Sequence, residues 1–197
     1  MPTVDYVSLD AQAVQASIDL VARVSTDDLA KPTPCRAWTL YGLLSHMATQ
    51  HYGFAAASRG DGDEALWKLR SLGDDPVKAY IASAEHVLAA FAEDGVVDRM
   101  FPLPEFGTDQ PFPGHQAISF HFIDYVVHSW DVAKTLGTTV TFTPEVLEAA
   151  LAVARIVPTG DLRLTPGSPF APDLPWSGTD RLDQTVALLG RSPNWPN

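Results

Sequence analysis

Apolar residues recur at helical spacing along most of this chain, and proline- and glycine-rich stretches interrupt them, a pattern that predicts a succession of helices with few strands. Leu9, Ala13, Ala16, Leu20 and Val24 form the first apolar stripe and predict a helix over about 9–24 with Ser8 as its N-cap. Lys31-Pro32-Thr33-Pro34-Cys35 breaks the chain, and Thr39 then caps a second helix over roughly 40–58 that carries Leu40, Leu43, Leu44, Met47 and Phe54. Residues 59–63, rich in glycine and aspartate, end that helix and lead past Trp67 to a third near 75–93, whose start Asp74-Asp75-Pro76 is acidic and marked by proline. Residues 101–113 hold Pro102, Pro104, Pro111 and Pro113, too many for a helix or a central strand, and predict a long loop able to serve a site. A fourth helix over about 114–136 ends at Gly137, and Val140 to Phe142 suit a short extended piece. Thr143-Pro144-Glu145 supplies N-cap, first-position proline and acidic first turn to a fifth helix over about 144–156. The connector 158–178 is again rich in proline and glycine, and a last helix near 179–189 stops at Gly190. The expected fold is all-α: a four-helix bundle with extra short helices and a proline-rich loop, in a single domain over 1–197.

Charge narrows the function classes. Twenty-four acidic against thirteen basic residues give a formal charge of −11 and argue against a nucleic-acid partner. A single cysteine, Cys35, rules out an internal disulfide and suits a reducing compartment. The start Met1-Pro2-Thr3-Val4-Asp5 lacks the basic and apolar regions of a signal peptide, and no apolar run approaches the ~18–20 residues needed to span a bilayer. A cytoplasmic protein with no membrane partner is expected.

Chemistry concentrates in the fourth helix. Asp124 and His128 stand four residues apart inside the apolar run Phe122-Ile123-Asp124-Tyr125-Val126-Val127-His128. At about 3.6 residues per turn they share one face some 5–6 Å apart and can grip one metal ion. His46, embedded in Leu43-Leu44-Ser45-His46-Met47, is the third candidate ligand, because an unpartnered imidazole there would carry a desolvation cost. Three side chains on two helices, leaving open positions, make a catalytic type of metal site. The same spacing also describes a helix-stabilising ion pair worth a few tenths of a kcal/mol; the apolar neighbours of Asp124 favour a bound partner over an idle carboxylate.

Four further residues are weighed beside the trio. His121, three before Asp124 and on nearly the same face, is either a fourth ligand or a residue that lines the pocket, orients a ligand or handles protons; it is the candidate acid or base. His51, about 140° around its helix from His46, suits the surface or helix packing. Asp131, three after His128, can accept a hydrogen bond from it or serve structure alone. Trp38 suits packing beside the second helix.

Thr33-Pro34-Cys35-Arg36-Ala37-Trp38-Thr39, then Leu43-Leu44-Ser45-His46-Met47, then Asp124-Tyr125-Val126-Val127-His128-Ser129-Trp130-Asp131-Val132-Ala133 resemble the DinB-like metal-binding superfamily. Within it they resemble the actinobacterial branch related to the N-terminal domain of mycothiol-dependent maleylpyruvate isomerase. The closing Ala187-Leu188-Leu189-Gly190-Arg191-Ser192-Pro193-Asn194-Trp195 resembles that branch's C-terminus. The resemblance implies an up-down-down-up four-helix bundle and a divalent metal, commonly zinc or nickel, held by His46, Asp124 and His128. It further implies a metal-dependent enzyme that activates a low-molecular-weight thiol such as mycothiol, as an S-transferase or isomerase acting on a small molecule. Metal-assisted hydrolysis is the runner-up, and a bundle that binds a ligand or metal without turnover is the alternative from another class. Such bundles often pair, so a homodimer is compatible with the chain, although no residue identifies an interface.

Overall fold

Four helices bury one another's apolar faces in the computed structural model, which describes residues 4–36, 38–107, 110–165, 168 and 170–197. Ala37 of the first motif, residues 108–109 of the proline-rich loop and 166, 167 and 169 of the last connector lie outside the described residues. Helices α1 (Tyr6–Val21), α2 (Leu40–Ala57), α3 (Pro76–Phe91) and α4 (Gly114–Thr135) form the bundle, with α1 against α4 and α3, and α2 against α3 and α4. Helix α5 (Pro144–Ile156) packs on α4, and α6 (Arg181–Leu188) on α5. The four-helix arrangement expected from the sequence is present.

Local chemistry starts the helices where they start. The Thr39 hydroxyl accepts from Gly42 N at 3.3 Å, Asp75 accepts from Lys78 N at 3.0 Å and Thr143 accepts from Val146 N at 3.3 Å. Each satisfies a first-turn donor that the helix itself cannot, a contribution of about 1 kcal/mol apiece. Helix α4 is the central element, buried around nearly its whole girth from Ala117 to Ala133. Its start is seated on the chain ahead of it: Gly114 N donates to Arg99 O at 2.7 Å, and a Cβ at that position would collide with the carbonyl oxygens of Val96, Val97 and Arg99. Only glycine lets α4 begin this close to that backbone.

Leu43, Leu44, Met47, Tyr125 and Val126 belong to the larger core, while Phe54, Trp67, Phe91, Phe101 and Ile118 form a second cluster around the first turns of α4. Both helices that carry the candidate ligands therefore run through solid packing, which holds their side chains in fixed relation.

The structure departs from the sequence reading in three places. Helix α1 begins a turn earlier, because Asp5 rather than Ser8 is its cap: the Asp5 carboxylate accepts from Ser8 N at 3.1 Å. Its buried face is Asp10, Ala13, Val14, Ser17, Leu20 and Val21, rotated from the expected stripe. Residues 140–142 form no strand; Val140 and Phe142 instead pack as partly buried side chains on the core. The proline-rich loop contains a minimal antiparallel pair, β1 (Met100–Phe101) with β2 (Phe112–Pro113), in the register Met100↔Pro113 and Phe101↔Phe112. Among the described residues no helix is long and apolar enough to cross a membrane.

Candidate metal centre

Helices α2 and α4 lie side by side, and their facing sides bring His46, Asp124 and His128 together. One donor atom from each lies within 4.8 Å of the others. The His46 Nε2 to Asp124 Oδ2 separation is 3.9 Å and that of His128 Nε2 to Asp124 Oδ1 is 3.2 Å. Metal–ligand bonds of about 2.0–2.2 Å at tetrahedral angles place ligand atoms about 3.3–3.5 Å apart, and donors within 4.8 Å of one another lie near that spacing. Two imidazoles and a carboxylate suit zinc and neighbouring transition metals. The side chains of His46 and Asp124 retain 24% and 23% exposure while His128 keeps 4%, so the trio is anchored in the bundle yet open on one side.

Surrounding groups hold both histidines. Trp38 stacks on the His46 ring at 5.4 Å between centroids, a contact more specific than the general packing expected of it. Asp131 Oδ2 lies 2.9 Å from His128 Nδ1, which fixes the ring so that Nε2 is the nitrogen facing Asp124. This is the accepting role weighed for Asp131. Burial holds His46 down to about 4, against the pull of Asp124, so this imidazole is neutral near pH 7. Burial acts the same way on His128, but the Asp124 charge and hydrogen bonds to Asp124 and Asp131 outweigh it and lift the ring to about 9. Asp124, in turn, is held below the usual carboxylate range: burial would raise it, and the charge of His128 prevails.

The proline-rich loop reaches the same face. Gln50, one turn after His46, donates from Nε2 to Glu105 Oε2 at 2.8 Å. Burial raises the Glu105 carboxyl, helped by the negative charge of Asp124. Phe106 stacks on Phe120 at 5.0 Å, and Phe112 meets both rings edge-on. Because Phe120 stands one turn before Asp124, this aromatic group borders the ligand face of α4. Glu105 escaped the sequence reading because nothing in its neighbourhood signals contact with Gln50. An open cavity of about 360 Å³ lined by Gly60, Gly62, Met100, Pro102 and Pro104 includes none of His46, Asp124 and His128.

His121 is not brought to this trio. It is fully buried, its Nδ1 lies 2.7 Å from Asp10 Oδ1 and its Nε2 lies 3.3 Å from His51 Nδ1. Both His121 and His51 stack on Tyr125 at 4.2 Å. The structure places His121 away from the position its expected acid or base role needs: both nitrogens are engaged and the ring has no exposed surface. His51 is likewise buried, fulfilling the packing alternative rather than the surface one. His86 meets the Tyr52 ring at 5.2 Å, and His115 is exposed.

Comparisons with known proteins identify the family. Residues 11–133, which contain His46, Asp124 and His128, match the model of the mycothiol maleylpyruvate isomerase N-terminal domain. Uncharacterised proteins from two strains of Mycobacterium tuberculosis are 32% identical over 184 residues, covering 92% of this chain and 94% of theirs. The crystal structure of mycothiol-dependent maleylpyruvate isomerase superposes with a TM-score of 0.60 at 14% identity, covering 78% of this chain and 70% of that one. A histidine-to-alanine mutant of that enzyme superposes with a TM-score of 0.57 at 10% identity over the same shares. The helical bundle, the long match to the family model and the full-length relatives place the chain in one group: it belongs to the mycothiol maleylpyruvate isomerase N-terminal domain family, a DinB-like fold.

Proposed function

We propose that this protein binds one divalent transition metal through His46, Asp124 and His128, zinc foremost and nickel as a second fit, and uses it as an enzyme on a low-molecular-weight thiol. The observation that carries this reading is the convergence of three donor atoms from two packed helices on one half-open point. A divalent ion held by three protein donors lowers the pKa of a thiol or water in an open position and so supplies a nucleophile at neutral pH. The family's name points to mycothiol as that thiol, and to S-transfer or thiol-assisted isomerisation as the reaction.

The chain's own residues supply the rest. Asp131 holds the His128 ring through Nδ1 so that Nε2 faces the trio, and Trp38 stacks on His46. Phe106, Phe112 and Phe120 offer an apolar, partly water-shielded wall for a substrate next to the ligands. Glu105, held by Gln50 and raised by burial, is the side chain to which we assign proton transfer in place of His121.

Cobalt(II) tests the reading optically. Mycothiol added to cobalt-loaded protein should produce a thiolate-to-cobalt charge-transfer band, lost in His128→Ala. A cobalt-loaded protein whose spectrum ignores thiols, and which turns over no thiol-dependent substrate, would support instead a bundle that binds metal without catalysis.

A further inference from the structure

The C-terminal motif Gly190-Arg191 has a place in the fold that the metal reading has not used. Gly190 ends α6 at φ +80°, and a Cβ there would stand 2.7 Å from both Cβ and O of Ala171, so only glycine makes the turn. The turn delivers Arg191 into the protein, where it is 5% exposed. Its Nη2 donates to Asp131 Oδ2 at 3.3 Å and its Nη1 to Leu189 O at 3.0 Å, with the guanidinium over the Phe170 ring at 5.7 Å. Lys134, three residues beyond Asp131 on α4, donates to Pro193 O at 3.1 Å, so α4 grips the segment at two points. The Asp131 oxygen that accepts from Arg191 is the same Oδ2 that accepts from His128 Nδ1.

Closing a core does not require such a group. Buried ion pairs are commonly replaced by apolar residues at no loss of stability, so stability alone is a weak reason for a guanidinium here. We propose that Arg191 is a positioning residue of the metal centre: it holds the Asp131 carboxylate against His128, so that the C-terminal segment sets the affinity of the site for its metal. The inference rests on His46, Asp124 and His128 binding metal. Partners of this kind change metal affinity by about 10–100-fold when removed.

The test is a set of zinc dissociation constants, from competition with a chromophoric chelator, for the full chain and its variants Asp131→Asn, Arg191→Met, the double variant and Gly190→Ala. Asp131→Asn should weaken zinc by about 10–100-fold and Arg191→Met by about tenfold. The double variant should bind no more weakly than Asp131→Asn, because Arg191 acts through that carboxylate alone; a purely structural role would not produce this non-additivity. Gly190→Ala keeps both side chains but moves the backbone that carries Arg191, and should shift affinity the same way if Arg191→Met does not fold. Unchanged affinity in whichever of these two folds, or losses that multiply in the double variant, would overturn the proposal and leave the metal reading intact. No zinc binding by the unaltered chain would overturn both.

Discussion

Helices α2 and α4 carry two clusters of the same composition, an aspartate with two histidines, once α1 lends Asp10 to the second. In the first, His46, Asp124 and His128 point donor atoms at a common centre, and two of the three side chains keep about a quarter of their surface. In the second, Asp10, His121 and His51 form a line, each ring nitrogen of His121 spent on a neighbour, and all three are fully buried. Burial drives His51 well below the usual histidine range and raises Asp10 against the pull of His121, so the second cluster is arranged to avoid free charge. Identical residue types thus do opposite work. Convergence with an open side suits a metal, while the sealed line ties three buried side chains together by hydrogen bonds and still leaves Asp10 Oδ2 and His51 Nε2 without a partner.

The largest expected effect separates the clusters outright. His46→Ala should take bound zinc from about one per chain to background, with the far-ultraviolet circular dichroism of the bundle retained, as elemental analysis and spectroscopy would show. His121→Ala should do the reverse. Loss of the ring opens a cavity and orphans the Asp10 carboxylate, lowering the unfolding free energy of the metal-free protein by about 2–4 kcal/mol while zinc stoichiometry stays near one. Chemical denaturation of the chelator-treated protein measures it.

A subtler effect comes from protons. Zinc must displace the proton that His128 holds up to about 9, whereas His46, at about 4, is already neutral near pH 7. Zinc affinity should therefore rise about tenfold per pH unit between about 6 and 8, the slope of one displaced proton. A slope of two would mean that both rings are charged in the metal-free site. The smallest effect on metal is expected for Glu105→Gln, whose partner is Gln50 rather than a ligand. Zinc affinity should not change measurably, and any thiol-dependent turnover should fall.

The convergence of His46, Asp124 and His128 was legible in the sequence because its strongest signal is local: Asp124 and His128 are one turn apart in an apolar run, and His46 sits in another. Helix starts were legible for the same reason at Thr39, Asp75 and Thr143, each beside the donor it caps. The buried cluster was not, since Asp10 and His121 are 111 residues apart in the chain. A signal existed in α1, where Asp10 leads the stripe Ala13, Val14, Ser17 and Val21 at helical spacing. The competing stripe through Leu9, Ala13 and Ala16 hid it by a rotation of one position. Arg191 and Glu105 were hidden for a related reason: each meets its partner across long chain separations that no local pattern encodes.

The most direct measurement sets the two aspartates against each other. Elemental analysis of untagged, chelator-free protein would be run side by side on the unaltered chain, Asp124→Ala and Asp10→Ala, with circular dichroism to confirm that each is folded. The account predicts about one zinc or related metal per chain in the unaltered protein and in Asp10→Ala, and none in Asp124→Ala. Metal retained by Asp124→Ala, or lost from a folded Asp10→Ala, would contradict it.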